Sequence, residues 1–307
     1  MAEYSDIEAE LTVRISPRSR SRAEATAFAR FNGNAPTLLA RPHALSADDR
    51  VYRNSLSHFE TALQKALGVS RLKGHQPSAT SAIFWASLLF TRLCNFSVSL
   101  SRLLPGSAYS MGKADEIWDN SSVSSLARDI FECFLLFFYL GVETVPEDEW
   151  KARQSLMHLH DCTMRLRVFY VGEAEAVQRA FYEGEQKRLK ALLEANNYFA
   201  NLPEKQRNRF LKGRDLLFLS QDEVLERLGE DRALIRRIYE MLSAHTHSLP
   251  LSFYSGREDD RGRGVENLPE KRYMAQSLEF LTGILVRATT AYLSIFPDTN
   301  DEVANTA

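Results

Sequence analysis

The chain has 307 residues and a formal net charge of -2, so it is long enough to bury a sizeable apolar core. Hydrophobic residues make up 44% and charged residues 25% of it, while glycine and proline are scarce, with 14 and 10 residues. This balance favours helices over a turn-rich β protein. Because the net charge gives no overall attraction to nucleic acid or anionic lipid, any such contact needs a local basic patch.

Helix start and stop signals predict one long helical region between two unpatterned ends. Residues 1–45 are predicted to be a mobile or strap-like arm, and residues 298–307 a disordered tail. The predicted helices cover residues 46–67, 78–104, 122–140, 150–170, 173–199, 204–213, 220–229, 231–245 and 269–296. No alternating β pattern longer than four residues interrupts them. We therefore expect an all-α, multi-helix bundle with one core and a single domain over residues 46–297.

Particular residues are expected to set the helix ends. Gly68 is expected to end the first helix, Ser121 or Ser122 to cap the third, and Thr144 to cap the fourth. Long helices at 78–104, 122–140 and 270–296 are expected to form the centre of the bundle.

The apolar segments are interpreted as core helices, with no membrane contact. The segment 82–104 comes nearest to a membrane span, but polar residues interrupt it, among them Arg92, Asn95 and Arg102. The Arg- and Ser-rich stretch RISPRSRSR has acidic neighbours that contradict a transit peptide, so a cytoplasmic protein is expected. Three cysteines lie in apolar patterns without CxxC spacing and are expected to be buried free thiols: Cys94, Cys133 and Cys162.

The segment GSAYSMGKA, residues 106–114, is similar to a phosphate-binding loop but fails its spacing. Five residues instead of four separate the glycines, Ala114 follows Lys113 in place of Ser or Thr, and a helix precedes it instead of a strand. We interpret it as a structural loop and expect no cofactor.

The third predicted helix carries a polar stripe on an otherwise apolar surface. Ser125, Arg128 and Glu132 fall at i, i+3 and i+7, on one helix face. Because the second half of this helix is apolar on every side, we expect the stripe to be enclosed and Arg128 to pair with Glu132. A functional site, a structural ion pair and a solvated stripe are the alternatives.

Two His-x-His pairs are candidates for metal ligation. His158 and His160 point about 200° apart on a continuous helix and cannot share a metal, so we expect one in the core and one exposed. At the helix end, a loosened last turn is expected to bring His245 and His247 to one side, with helix capping as the alternative. A metal site of Glu132, His245 and His247 ranks last, because the sequence has no Glu-x-x-His pair, and no metal is expected.

Two motifs resemble those of a family of uncharacterised prokaryotic helical proteins with a domain of unknown function. The first is Arg-x-x-x-Glu, here RDIFE, with Arg128 and Glu132. The second is Tyr-x-x-x-Ser-x-x-x-His, here within YEMLSAHTHSLP, with Tyr239, Ser243 and His247. The resemblance spans roughly residues 50–290 and implies an all-α bundle.

More distantly, the chain resembles HEPN helical domains, many of which are metal-independent ribonucleases or partners in toxin and nucleotidyltransferase systems. In such a site a histidine moves the 2′-hydroxyl proton while an arginine stabilises the phosphorane charge. The family pattern is Arg, four to six residues, then His. Seven residues separate Arg237 from His245, and eight separate Arg236 from it, so the pattern is not met.

A group of basic residues is a candidate surface for RNA: Lys205, Arg207, Arg209, Lys212 and Arg214, with Arg236 and Arg237 as further members. Acidic neighbours dilute this patch and make an ordinary solvated surface the alternative: Glu204, Asp215, Asp222 and Glu223.

We expect an interaction or ligand-binding module of a stress or defence setting, with a protein partner or a second copy of the chain. A HEPN-like, metal-independent endoribonuclease is the alternative. The expected polar site gathers Arg128, Glu132, Tyr239, Ser243 and His247, with His245 as a further candidate. In the expected geometry, Glu132 accepts a hydrogen bond from His247 and shares its carboxylate with Arg128, which gives an enclosed cluster that locks two helices.

Overall fold

A computed structural model describes residues 47–74, 80–110, 116–170, 175–253 and 262–296. These residues all lie within one compact unit, His43–Pro297. In this part of the chain there are eleven α-helices, one π-helical segment and no strand, and one isolated β-bridge joins Trp118 to Gly264. The prediction of an all-α, multi-helix fold is confirmed. The predicted N-terminal arm and C-terminal tail lie outside the described residues.

The α-helices are, in chain order, α1 (Ala47–Lys73), α2 (Ser81–Leu103), α3 (Asn120–Phe137), α4 (Glu147–Val168), α5 (Ala176–Glu194), α6 (Asn197–Ala200), α7 (Glu204–Phe210), α8 (Gln221–Arg227), α9 (Arg232–Thr246), α10 (Pro250–Phe253) and α11 (Leu268–Ser294). The π-helical segment, Phe138–Val142, continues α3 directly.

The caps of α3 and α4 differ from the predicted ones. Asp119 caps α3, because its carboxylate accepts hydrogen bonds from the backbone amides of Ser121 and Ser122. A carboxylate at this position satisfies two amides that have no partner within the helix. Pro146 occupies the cap position of α4, so Thr144 does not cap that helix. An acidic first turn stabilises this end of α4 through the helix dipole instead.

Two other helix ends were also predicted wrongly. α1 passes through Gly68 and continues to Lys73. A glycine inside a helix costs only about 0.5–1 kcal/mol, and the buried side chain of Val69 favours the extra turn. The predicted helix at 173–199 is divided into α5 and α6, because the side chain of Asn196 caps a new helix by accepting a hydrogen bond from the amide of Phe199.

The main apolar core lies between α1, α2, α3, α9 and α11. α1 packs along α11, and α2 packs along α3. At its centre the rings of Phe90 and Tyr292 stack with centroids 4.3 Å apart, and the hydroxyl of Tyr292 donates to Oγ of Ser87 at 2.9 Å. The three helices predicted to be central therefore contribute to this core, and α1 joins them.

A second apolar cluster lies between α4, α5, α6 and α7, so the expectation of one core was wrong. The rings of Phe199 and Phe210 lie 6.1 Å and 4.9 Å from that of Phe218, between centroids. The antiparallel pair α4 and α5 buries its own apolar faces here, through Leu156, Leu159, Leu189 and Leu193. This cluster anchors α7 through Phe210.

Of the described helices, only α2 is long and apolar enough to cross a membrane, and 39% of its most apolar window is buried. This is weak evidence for a span, because a core helix of a soluble protein meets the same criteria. The three cysteines were predicted to be buried free thiols, and this is confirmed. Cys94 lies on α2, Cys133 on α3 and Cys162 on α4.

Candidate functional site

The polar stripe of α3 meets the second half of α9. Nε of Arg128 donates a hydrogen bond to Oε1 of Glu132 at 2.9 Å, and the hydroxyl of Tyr239 donates to the same oxygen at 2.9 Å. Nη1 of Arg128 lies 3.0 Å from Nε2 of His247. The guanidinium carbon also lies 5.0 Å from the centroid of the Tyr239 ring. We call these four residues the Arg128 cluster.

The periodicity of α9 explains how it brings two residues to this site. Tyr239 and His247 are eight residues apart, about two helical turns, and therefore lie on one face. His247 is the C-cap of α9, and its amide donates to the carbonyl of Ser243 at 3.0 Å. Among the described hydrogen bonds, Ser243 contacts His247 only through this backbone carbonyl. The hydroxyl of Ser125 donates to the carbonyl of Ser121, within α3. Neither serine side chain joins the cluster.

The cluster is a surface feature, and the expectation of an enclosed site was wrong. The side chains of Arg128 and Glu132 are 23% and 45% exposed, and His247 is exposed. The apolar residues of α3 face the core, so the polar stripe lies at the outer edge of the contact with α9. The expected hydrogen bond from His247 to Glu132 was also wrong, because Arg128 lies between them and contacts both.

The chemistry of the guanidinium fixes the direction of the hydrogen bond in this contact. A guanidinium carries only donors, so Nη1 of Arg128 donates and Nε2 of His247 accepts. Burial lowers the pKa of Arg128, but the hydrogen bond and charge of Glu132 outweigh it and raise that pKa overall. Burial, followed by the hydrogen bond to Glu132, raises the pKa of Tyr239. At neutral pH the cluster therefore contains a cationic arginine and a protonated tyrosine.

His245 points away from the cluster, so the expectation that both rings share one side was wrong. Its side chain is buried, and Nδ2 of Asn120 lies 3.2 Å and 3.3 Å from its two ring nitrogens. α9 stays helical through Thr246, which keeps residues two apart on different faces. Arg236, one of the two arginines compared with the HEPN spacing, is exposed and pairs with Asp222. Arg236 and His245 therefore do not form a site.

The candidate metal ligands are not assembled either. Among the described residues, no group of three or more His, Cys, Asp or Glu is arranged to hold a metal ion. Glu132 bonds to Arg128 and Tyr239, while His245 contacts Asn120. His158 and His160 are both partly buried, so the expectation of one core and one exposed histidine was wrong.

The loop that is similar to a phosphate-binding loop uses its amides within the protein. The amide of Gly106 donates to Oε1 of Glu116 at 3.0 Å, and the amide of Ala108 donates to Oε1 of Glu60 at 2.8 Å. The hydroxyl of Ser107 donates to the same Glu60 oxygen at 2.7 Å. These donors bind carboxylates of the chain itself. Residues 111–114 of the loop lie outside the described part.

Sequence reasoning missed a more deeply buried network around Arg153. This side chain is fully buried; its Nη1 lies 2.6 Å from Oε2 of Glu143 and donates to the carbonyl of Tyr139 at 2.6 Å. Its Nε donates to Glu149 at 3.1 Å, and its guanidinium carbon lies 3.8 Å from the centroid of the Tyr139 ring. Arg227 pairs with both carboxylates, at 2.9 Å from Glu143 and 3.2 Å from Glu149.

Two arginines and two glutamates balance the charge of this network, which links the π-helical segment to α4 and α8. The Glu149–Arg153 pair could have been found in the sequence from its i, i+4 spacing. The Arg227–Glu143 pair could not, because 84 residues separate the partners. With Arg153 fully buried and every charge paired, we interpret the network as structural.

Comparisons with known proteins found no match, neither with a protein-family model, nor with a curated protein, nor with a solved structure.

Proposed function

We propose that the protein is a ligand-binding module in which the Arg128 cluster takes an anionic ligand. The observation that carries the proposal is a guanidinium that is held by three neighbours and still exposed over 23% of its side chain. A guanidinium has five N–H donors, and the hydrogen bonds to Glu132 and His247 use two of them. A ligand oxygen can reach those of the remaining donors that lie in the exposed part of the side chain.

The neighbours of Arg128 prepare it for this role. Glu132 and the ring of Tyr239 fix the orientation of the guanidinium, which lowers the entropy lost when a ligand binds. A ring nitrogen of His247 accepts from Arg128, and a carboxylate or phosphate oxygen makes a stronger, charge-assisted hydrogen bond in its place. Because Glu132 repels a second anion, the ligand is expected to approach from the His247 side.

Calorimetric titration with inorganic phosphate at constant ionic strength tests the proposal. We expect binding to the full chain and its loss in Arg128→Gln, since glutamine lacks the charge and the forked donors. Arg165→Gln is the matched control, because Arg165 forms another i, i+4 pair with Asp161 at similar exposure, 40% and 43%. Absence of binding to the unmodified chain, or equal binding by Arg128→Gln, would contradict the proposal.

One observation favours a metal-independent endoribonuclease as the second candidate. Nη1 of Arg128 and Nε2 of His247 are 3.0 Å apart, so a phosphate-stabilising group and a base are within reach of one phosphodiester. Incubation with total RNA in EDTA tests this activity. Cleavage that is lost in both His247→Ala and Arg128→Gln, and retained in the exposed control His58→Ala, would replace the binding proposal with the enzymatic one.

A further inference from the structure

A second polar surface lies on α7 and uses none of the residues of the Arg128 cluster. It is an open groove of about 790 Å³, which we call the α7 groove, lined by Glu204, Lys205, Gln206, Asn208, Arg209 and Lys212. Burial of Phe210 against Phe218 holds α7 to the second apolar cluster, so the polar residues of the helix face outward.

The cationic side chains of the α7 groove follow one face of the chain. Lys205, Arg209 and Lys212 fall at i, i+4 and i+7, the spacing of residues on one helical face. At 1.5 Å per residue this row extends about 10 Å. The turn after α7 keeps the spacing regular, because the amide of Lys212 donates to the carbonyl of Arg209 at 3.2 Å.

The charge of the α7 groove is positive despite the acidic residues nearby. Three cations and one carboxylate, Glu204, line it. Arg209 also pairs with Asp215 at 3.4 Å, but both side chains are partly exposed, at 56% and 33%. A pair of this kind contributes about 1 kcal/mol or less, so a phosphate can replace Asp215 at low cost.

The lining distinguishes between classes of macromolecular partner. Among the described residues that line it, none has an apolar side chain, whereas a protein–protein interface needs a desolvated apolar centre. Lysine, arginine, asparagine and glutamine are the side chains that bind phosphate and sugar oxygens. These described lining residues also provide no aromatic ring on which a base could stack, which favours contacts to the backbone over contacts to bases.

We propose that the α7 groove binds single-stranded RNA through its phosphates, without sequence preference. Lys205, Arg209 and Lys212 contact successive phosphates, while Gln206 and Asn208 donate to phosphate or sugar oxygens. Four members of the sequence-predicted basic patch do not line the groove: Arg207, whose Nε is buried, Arg214, Arg236 and Arg237. This inference is independent of the proposed anion site on Arg128.

Fluorescence anisotropy of the full chain with a labelled oligouridylate of about 20 nucleotides, between about 50 and 200 mM KCl and in EDTA, tests the proposal. We expect the triple variant Lys205→Gln, Arg209→Gln, Lys212→Gln to bind at least about tenfold more weakly. Each single-strand phosphate contact contributes about 0.7 to the slope of log K against log salt, so three lost contacts reduce that slope by about 2. Glu204→Gln removes the repulsive carboxylate and should strengthen binding.

A matched control separates the groove from net charge. The triple variant Lys151→Gln, Arg167→Gln, Lys187→Gln removes the same charge from exposed positions on α4 and α5 and should bind within about twofold of the unmodified chain. An equal loss of RNA affinity in both triple variants would overturn the proposal, and so would unchanged RNA affinity in the α7 variant. So would complete displacement of RNA by inorganic phosphate at constant ionic strength, or loss of RNA binding in Arg128→Gln. Glu204→Gln keeps the test decisive if the α7 variant misfolds.

Discussion

Nη1 of Arg128 lies 3.0 Å from Nε2 of His247, although 119 residues separate the two in the chain. This contact joins the outer edge of α3 to the C-terminal cap of α9. A second contact between the same helices runs through Tyr239 and Glu132. Because these side chains are exposed or partly exposed, the cluster is a surface link between two helices and not a buried lock.

Glu132→Ala should therefore have a small effect on stability. Its side chain is 45% exposed, and loss of such a pair costs about 1 kcal/mol or less. For a domain of this size the melting temperature should fall by no more than about 2–4 °C. Asp161→Ala, which removes the exposed partner of Arg165, should behave alike in the same thermal melt. A loss near 3 kcal/mol in Glu132→Ala would contradict the surface assignment.

Arg153→Met should destabilise the chain far more than Glu132→Ala. Removal of a fully buried arginine leaves the carboxylates of Glu143 and Glu149 with Arg227 alone, and breaking a buried pair in this way costs about 3–5 kcal/mol. Urea unfolding measures the difference in the free energy of unfolding. Arg165→Met is the control, since it removes an arginine from an exposed pair on the same helix. Equal stability of the two variants would show that the network contributes little.

The sequence predicted contacts within one helix better than contacts between helices. The i, i+4 spacing predicted the Arg128–Glu132 pair, which forms. The same spacing says nothing about which neighbour covers a helix face, and so the exposure of this pair was predicted wrongly. The contact of Arg128 with His247 depends on how α9 packs against α3, and no local pattern carries that information.

The helix ends show the same division between local and long-range causes. Asp119 lies one residue before the start of α3, and its capping role could be recognised as readily as that of Ser121. The end of α1 could not be predicted from Gly68, because packing of Val69 in the core extends the helix beyond it. The all-α class was predictable because every long segment carries a helical period.

His158 should make stability depend on pH. Burial lowers its pKa below the ordinary 6.5, with Asp161 acting in the opposite direction. The folded chain therefore takes up this proton less readily than the unfolded chain, so stability is full above the unfolded pKa and is lost as pH falls through the folded pKa. The free energy of unfolding, measured with urea at about pH 7.5 and about pH 5, should fall less between these two pH values in His158→Gln than in the unmodified chain. Equal losses would mean that burial of this ring does not affect its protonation.

The three thiols should react slowly in the native state. Burial raises the pKa of Cys94 and Cys133 to about 12 and that of Cys162 to about 11. Because the thiolate is the reactive species, a disulfide reagent at about pH 8 should label the native chain far more slowly than the unfolded chain. Cys162 should be the fastest of the three, and Cys162→Ser should remove the first phase. A native thiol that reacts as fast as in the unfolded chain would contradict its burial.

Gly141 and Gly283 should respond oppositely to alanine. A Cβ at Gly141, in the π-helical segment, would lie 2.7 Å from both Cα and Cβ of Ala86 on α2, so one helix backbone would have to move. Such overpacking costs about 1–3 kcal/mol. A Cβ at Gly283 on α11 meets nothing within 4 Å among the described residues, and replacing glycine inside a helix then stabilises by about 0.5–1 kcal/mol.

A double-mutant cycle isolates the contact at Gly141. Ala86→Gly removes the clash with Cβ of Ala86 and leaves the clash with its Cα, so Gly141→Ala should cost less in that background than in the unmodified chain but should still destabilise it. Urea unfolding of the two single variants and the double variant gives the coupling energy. Gly283→Ala should give the same gain in both backgrounds, because its new Cβ meets no described atom within 4 Å. Additive costs for Ala86→Gly and Gly141→Ala would mean that the π-helical segment does not pack this closely against α2.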